Sequence, residues 1–173
     1  MTAVEFELDG APVTVDATGS LFDVLREQLG VRSAKDGCSP QGQCGCCTVW
    51  VDGHPRVACV TPVGRVRGRR VTTVDAIDDA DDWATAFAAC GASQCGFCTP
   101  GIIMRLAALD QAQRSDADAV RRALMAHLCR CTGWQTIVEA AALVGAGAAA
   151  GPPPGGDRAR ARAAVEGGTH QRL

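Results

Sequence analysis

Val4, Phe6 and Leu8 alternate with polar residues, Asp9-Gly10 interrupts them, and Val13 and Val15 resume the alternation. A period of two broken by Asp-Gly predicts a β-hairpin. In "SLFDVLREQLG" the apolar positions Leu21, Val24, Leu25 and Leu29 fall at helical spacing. Ser20 and Asp23 form a capping pair in front of that stripe, and Gly30 is a natural stop. "TVWVDGHPRVACV" predicts a second hairpin across Asp52-Gly53, and "RRVTTVDAI" a last short strand. Together these elements predict a small sheet packed on one helix. From Ala80 the period becomes helical, in "DDWATAFAAC", "TPGIIMRLAALDQ", "SDADAVRRALMAHL" and "GWQTIVEAAALVGA". Thr99 and Pro100 suit the N-cap and first position of the second run, and Ser115 with Asp118 suits the cap of the third. Four short helices with short links predict an antiparallel bundle. The expected class is therefore α+β, a sheet domain over residues 1–78 followed by a helical domain over residues 79–147.

Beyond Gly147 the chain turns to Gly, Ala and Pro and then to "DRARARAAVEGGTHQRL". Residues 148–173 cannot bury much and are expected to be extended or disordered, either a solvated tail or an arm that orders on a partner. The chain as a whole is 47% apolar, enough for a core. A net charge of −2 offers no surface for nucleic acid. There is no apolar run of ~18 residues to cross a bilayer. The N-terminus lacks the basic head and apolar centre of an export signal, so a cytoplasmic protein is expected. Ten cysteines in such a chain point to metal binding rather than to a disulfide framework.

The cysteines fall into two sets. Cys38-x5-Cys44-x2-Cys47 lies in a glycine-rich loop, and Cys59 follows after eleven residues. Iron–sulfur clusters take about four cysteine thiolates, and three close cysteines with one distant one is the plant-type ferredoxin arrangement, although its first gap has four residues. Cys95-x2-Cys98 and Cys129-x-Cys131 are separated by thirty residues. Each pair is expected at a helix end or interhelix turn. Zinc is the alternative, since paired cysteines also make zinc modules, but a one-residue gap suits zinc poorly and only His127 lies near a cysteine run. The spacing favours iron–sulfur and leaves zinc open.

"GCSPQGQCGCCTVWVDG", "GASQCGFCTPGI" and "LCRCTGWQTIVEA", in this order and at these separations, closely resemble the iron–sulfur subunit of the xanthine oxidase family of molybdenum hydroxylases. The resemblance covers residues 1 to about 147. It implies an N-terminal β-grasp plant-type ferredoxin domain with a [2Fe–2S] cluster on Cys38, Cys44, Cys47 and Cys59. It implies a four-helix-bundle domain with a second [2Fe–2S] cluster on Cys95, Cys98, Cys129 and Cys131. In that family a ligand matching Cys131 approaches the molybdopterin cofactor, a glutamine matching Gln94 hydrogen-bonds it, and the ferredoxin cluster faces FAD. The implied role is an electron-transfer subunit with no catalytic residue of its own. Its implied partners are a large molybdopterin-binding subunit and a medium FAD-binding subunit, as a dimer of heterotrimers. A freestanding two-cluster ferredoxin and a zinc-stabilised interaction module are the other readings. Three positions depart from the family: the longer first gap, Cys46 where a small residue such as Ala is common, and Trp134 in place of the common Tyr.

Other conspicuous residues have plainer roles. Cys90, among alanines, is expected to be a small buried thiol rather than a ninth ligand. Trp50, Trp83 and Trp134 are expected in packing rather than as electron relays. Lys35 is expected at the surface, and Arg130 either binds backbone or tunes cluster charge.

Overall fold

A computed structural model describes residues 3–147, so the predicted tail lies outside the described residues. Strands β1 (Ala3–Leu8) and β2 (Ala11–Asp16) form the first hairpin. Their register pairs Val4 with Val15 and Phe6 with Val13. Asp9 and Gly10 take φ +50° and +85°, as the tight turn requires. Helix α1 (Leu21–Asp23) opens on a capping box in which Ser20 accepts from Asp23 N–H and Asp23 accepts from Ser20 N–H. It continues as one wide π turn, Val24–Gln28. Strands β3 (Thr48–Val51) and β4 (His54–Val57) make the second hairpin, and β5 is Arg70–Thr72. The sheet order is β2-β1-β5-β3-β4, with β1 and β5 parallel and the other pairs antiparallel. Val4, Phe6, Val15, Leu21, Val24, Leu25, Val49 and Val71 join in one buried cluster between the sheet and α1.

A second cluster lies among the helices α2 (Ala80–Cys90), α3 (Thr99–Ala107), α4 (Gln111–Ser115), α5 (Ala117–Ala123) and α6 (Trp134–Gly145). Five helices replace the predicted four because of local capping. Asp110 and Gln113 form an unanticipated capping box that starts α4. Asp116, not Ser115, caps α5 by accepting from Asp118 N–H, while Ser115 ends α4 and turns its hydroxyl to Gln111 O. The start of α3 is also displaced by one residue. Cys98 is the N-cap, with its carbonyl accepting from Ile102 N–H at 3.1 Å, and Thr99 is already helical.

Arg114 ties these helices together. Its guanidinium meets Asp79 at 2.9 Å, donates to Leu109 O and Ala107 O, and lies 5.2 Å from the centroid of the fully buried Trp83 ring. Arg114→Ala removes a largely shielded ion pair, two carbonyl partners and a cation–π contact, and is expected to cost about 2–3 kcal/mol of unfolding free energy. Chemical denaturation of the cluster-loaded protein checks this. Among the described residues no helix is long and apolar enough to cross a membrane.

Candidate iron–sulfur centres

The loop before β3 is shaped for sulfur. Asp36 Oδ1 accepts from Cys38 N–H at 3.0 Å and Ser39 N–H at 2.8 Å, which closes the turn around the first thiol. Gln41 N–H then points at Cys38 Sγ, 3.3 Å away. Burial raises the Cys38 thiol, but the N–H groups of Gln41, Gln43 and Cys44 outweigh it and bring its pKa down to about 7. Backbone donors aimed at a thiol stabilise the thiolate, the form that binds metal. Cys38 and Cys44 thiols interact directly. At the other side, Cys59 N–H points at Cys47 Sγ at 3.4 Å, and those two thiols also interact. Burial pushes Cys47 up to about 12, against the Cys59 N–H and with the neighbouring Cys59 thiol.

Cys46 behaves differently. It is buried, and its Sγ–H donates toward Cys44 O at 3.7 Å. Burial, reinforced by the Cys44 thiol, pushes its titration well above the ordinary thiol range.

The helical half brings together the other four thiols. Cys95 and Cys131 are exposed, with their sulfurs 3.3 Å apart. Cys98 and Cys129 interact beneath them, and Cys129 Sγ lies 3.2 Å from Thr132 Oγ1. Burial, with the Cys129 thiol adding, pushes Cys98 up to about 12. Burial raises Cys129 too, but the Thr132 hydroxyl and backbone donors from Thr132 and Cys131 bring it below the usual value. Cys95 is lowered by the Phe97 N–H and the Cys131 thiol, and Cys131 is raised by the Cys95 thiol. Each set thus holds two touching pairs, with the Cys46 thiol also against Cys44 in the first. Four thiolates around two irons need this arrangement. Among the described residues no three His, Cys, Asp or Glu side chains converge on a single ion.

Gln94 is exposed beside Cys95, and its side chain makes no hydrogen bond among the described residues. Arg130 is exposed, and Lys35 Nζ donates to Ser33 O at 3.2 Å. Trp83 is core, while Trp50 packs against the helical cluster and donates from Nε1 to Met104 O at 2.7 Å, bridging the two halves. Trp134 is exposed together with Phe97, Met125 and Leu128.

The halves meet at the ligand loops themselves, which the sequence did not reveal. Leu128 N–H donates to Cys44 O at 3.0 Å. A Cβ at Gly101 would overlap Gly45 O and come within 2.9 Å of Cys46 Cα. His127 is buried beside Gly45, and Phe97 reaches toward Gly37. Burial first, and then the charge of Arg105, pulls His127 down to about 4, so the ring is neutral; the Gly101 carbonyl opposes this without completing a hydrogen bond. The one advance signal was that His127 is the lone histidine near a cysteine run.

Eight of the thiols lie in four pairs on turns lined with backbone donors, and residues 73–142 match the [2Fe-2S] binding domain family. The xanthine dehydrogenase iron–sulfur-binding subunit of Escherichia coli O157:H7 is 38% identical over 144 residues, covering 79% of this chain and 89% of that protein. The nicotine 6-hydroxylase small subunit of Paenarthrobacter nicotinovorans is 39% identical over 142 residues, covering 79% and 86%. A chain of the quinoline 2-oxidoreductase crystal structure from Pseudomonas putida 86 superposes with a TM-score of 0.74 at 31% identity, covering 96% of this chain and 97% of that one. This chain belongs to the iron–sulfur subunits of the xanthine oxidase family of molybdenum hydroxylases.

Proposed function

We propose that this chain is the electron-transfer subunit of a molybdenum hydroxylase complex, with one [2Fe–2S] cluster in each half. Cys38, Cys44, Cys47 and Cys59 hold the first, in a β-grasp ferredoxin domain over residues 1–78. Cys95, Cys98, Cys129 and Cys131 hold the second, in a helical-bundle domain over residues 79–147. When bound, the clusters supply one-electron carriage between a molybdopterin centre on a large partner and FAD on a medium one. The observation that carries this reading is the 3.0 Å bond from Leu128 N–H to Cys44 O. It joins the residue beside one candidate ligand, Cys129, to another, Cys44, so a short covalent and hydrogen-bonded route runs between the two sets.

The chain's surface supports the subunit reading. Cys95 and Cys131 open to solvent, and on the same helical half Met125, Leu128 and Trp134, which are 83%, 59% and 41% exposed, line one apolar hollow. Clustered apolar exposure marks an interaction surface. It suits docking of the large subunit, with Gln94 and Cys131 facing the molybdopterin. The ferredoxin loop is left for the FAD subunit, and the whole assembles as a dimer of heterotrimers in the cytoplasm. An exposed thiol set and an exposed apolar hollow on one half fit a fixed subunit better than a freely diffusing ferredoxin. The complex would hydroxylate an N-heterocycle or aldehyde with oxygen from water, as the names of the nicotine, xanthine and quinoline relatives suggest.

The test is composition. The holo-protein is expected to hold about four irons and four sulfides per chain and, on reduction, to show two distinct [2Fe–2S] signals by electron paramagnetic resonance. Two irons per chain, or stoichiometric zinc, would refute the reading.

A further inference from the structure

His127 occupies the seam between the halves under unusual constraint. It is 5% exposed and lies two residues before Cys129. Its Nε2 is 3.3 Å from Thr48 Oγ1. Thr48 has one hydroxyl proton and gives it to Gly45 O at 2.7 Å. The contact is a hydrogen bond with the proton on Nε2 and His127 donating to Thr48. Nδ1 is left as a bare acceptor, and no donor reaches it among the described residues.

The ring also leaves no slack. A Cβ at Gly45 would overlap the imidazole, with Cγ and Nε2 at 2.6 Å. Gly45 stands at φ +68°, in the left-handed region that favours glycine. Gly101, in the first turn of α3, abuts Gly45 O and Cys46 Cα, and its carbonyl faces the His127 ring. The turn carrying Cys44 to Cys47 is thus packed tightly against both His127 and the start of α3, which follows Cys98. Immediately beyond the ring, Leu128 N–H reaches Cys44 O. A side chain needed only for volume would be apolar, because burying an imidazole with one unpaired nitrogen costs stability that a phenyl ring would not.

We propose that His127 is the positioning residue for electron transfer between the two thiol sets: its Nε2–H, fixed on Thr48, wedges the Cys44–Cys47 turn against the helical half and holds the Leu128–Cys44 bond in register. The proposal rests on the two-cluster reading above. It assigns the gap between the clusters to a side chain that ligates neither.

The experiment uses the assembled complex carrying His127→Phe, which keeps the volume and loses the N–H. His127→Gln is the rescue, because it restores a donor. Thr48→Val removes the acceptor and leaves His127 in place. Three quantities are read: iron per chain, the magnetic interaction between the clusters in the fully reduced complex, and the rate of electron transfer from one to the other by rapid freezing. His127→Phe and Thr48→Val are each expected to keep full iron content, to weaken the magnetic interaction, and to slow inter-cluster transfer about tenfold, the lower end of what losing a neighbouring orienting contact does at metal sites. Their combination is expected to do no more than either alone, and His127→Gln to recover most of the rate. Unchanged interaction and rate in Thr48→Val, or failure of His127→Gln to recover any rate, would overturn the proposal. Failure of the two-cluster reading looks different, because the unaltered complex would then itself lack four irons and a second signal.

Discussion

Cys131→Ser is expected to collapse substrate-to-acceptor turnover of the complex by more than about 100-fold, beyond the 10–100-fold typical of changes one layer outside a metal's ligands. Cys131 is exposed, and its sulfur lies 3.3 Å from that of Cys95, so it forms the outer rim of its thiol set. Serine replaces a soft thiolate with a hydroxyl that is protonated at neutral pH, and iron in a sulfide cluster favours the thiolate. The loss should stay local. Cys38, Cys44, Cys47 and Cys59 draw their shaping contacts from Asp36, Gln41, one another and the Leu128, His127 and Gly101 seam, none of which is made by Cys131 itself. Iron content is therefore expected to fall toward two per chain, with the ferredoxin-type signal retained. Normal turnover in the variant would remove the helical-domain thiols from the electron path.

The elements that the sequence predicted correctly are those whose cause is local. The Asp9-Gly10 and Asp52-Gly53 turns need positive φ, and Asp-Gly announces it. Ser20 and Asp23 cap α1 as their spacing predicts. The touching of Cys95 with Cys131 follows from two turns that each open a helix, although the sequence cannot say which sulfur meets which. The errors at the helix starts have competing local causes. Thr99 has the right chemistry for an N-cap, but its hydroxyl lies 2.9 Å from Ser93 Oγ, and the Cys98 carbonyl accepts the first helical bond instead. Ser115 lost to Asp116 because the Asp110–Gln113 capping box had already placed Ser115 in α4, and that box was visible in "DQAQ". The π turn in α1 has no signal of its own. The seam was hidden for a different reason. Gly45, Gly101 and His127 are far apart in the chain, and only packing shows that two glycines are needed where a turn, a helix and an imidazole converge.

The two adjacent thiols of the ferredoxin loop are expected to respond oppositely to replacement. Cys47→Ser should lose or strongly perturb the ferredoxin-type cluster, whereas Cys46→Ala should keep its spectrum. The geometry distinguishes them by hydrogen bonding. Cys47 Sγ receives Cys59 N–H and touches the Cys59 thiol, which places it as an acceptor facing its partner. Cys46 Sγ instead receives no backbone N–H among the described residues and turns its own hydrogen toward Cys44 O. Cys46 also lies where the loop is tightest, with Gly101 against its Cα, and a small side chain is what fits there. Alanine removes only the sulfur. It leaves the Gly45 and Gly101 contacts untouched and opens a void of about one atom, for which about 1 kcal/mol of lost stability is the scale. Iron content and the reduced spectrum of each variant decide between the two. If Cys46→Ala loses the cluster and Cys47→Ser keeps it, the ligand register is shifted by one residue, and the five-residue gap after Cys38 belongs to a loop of different geometry.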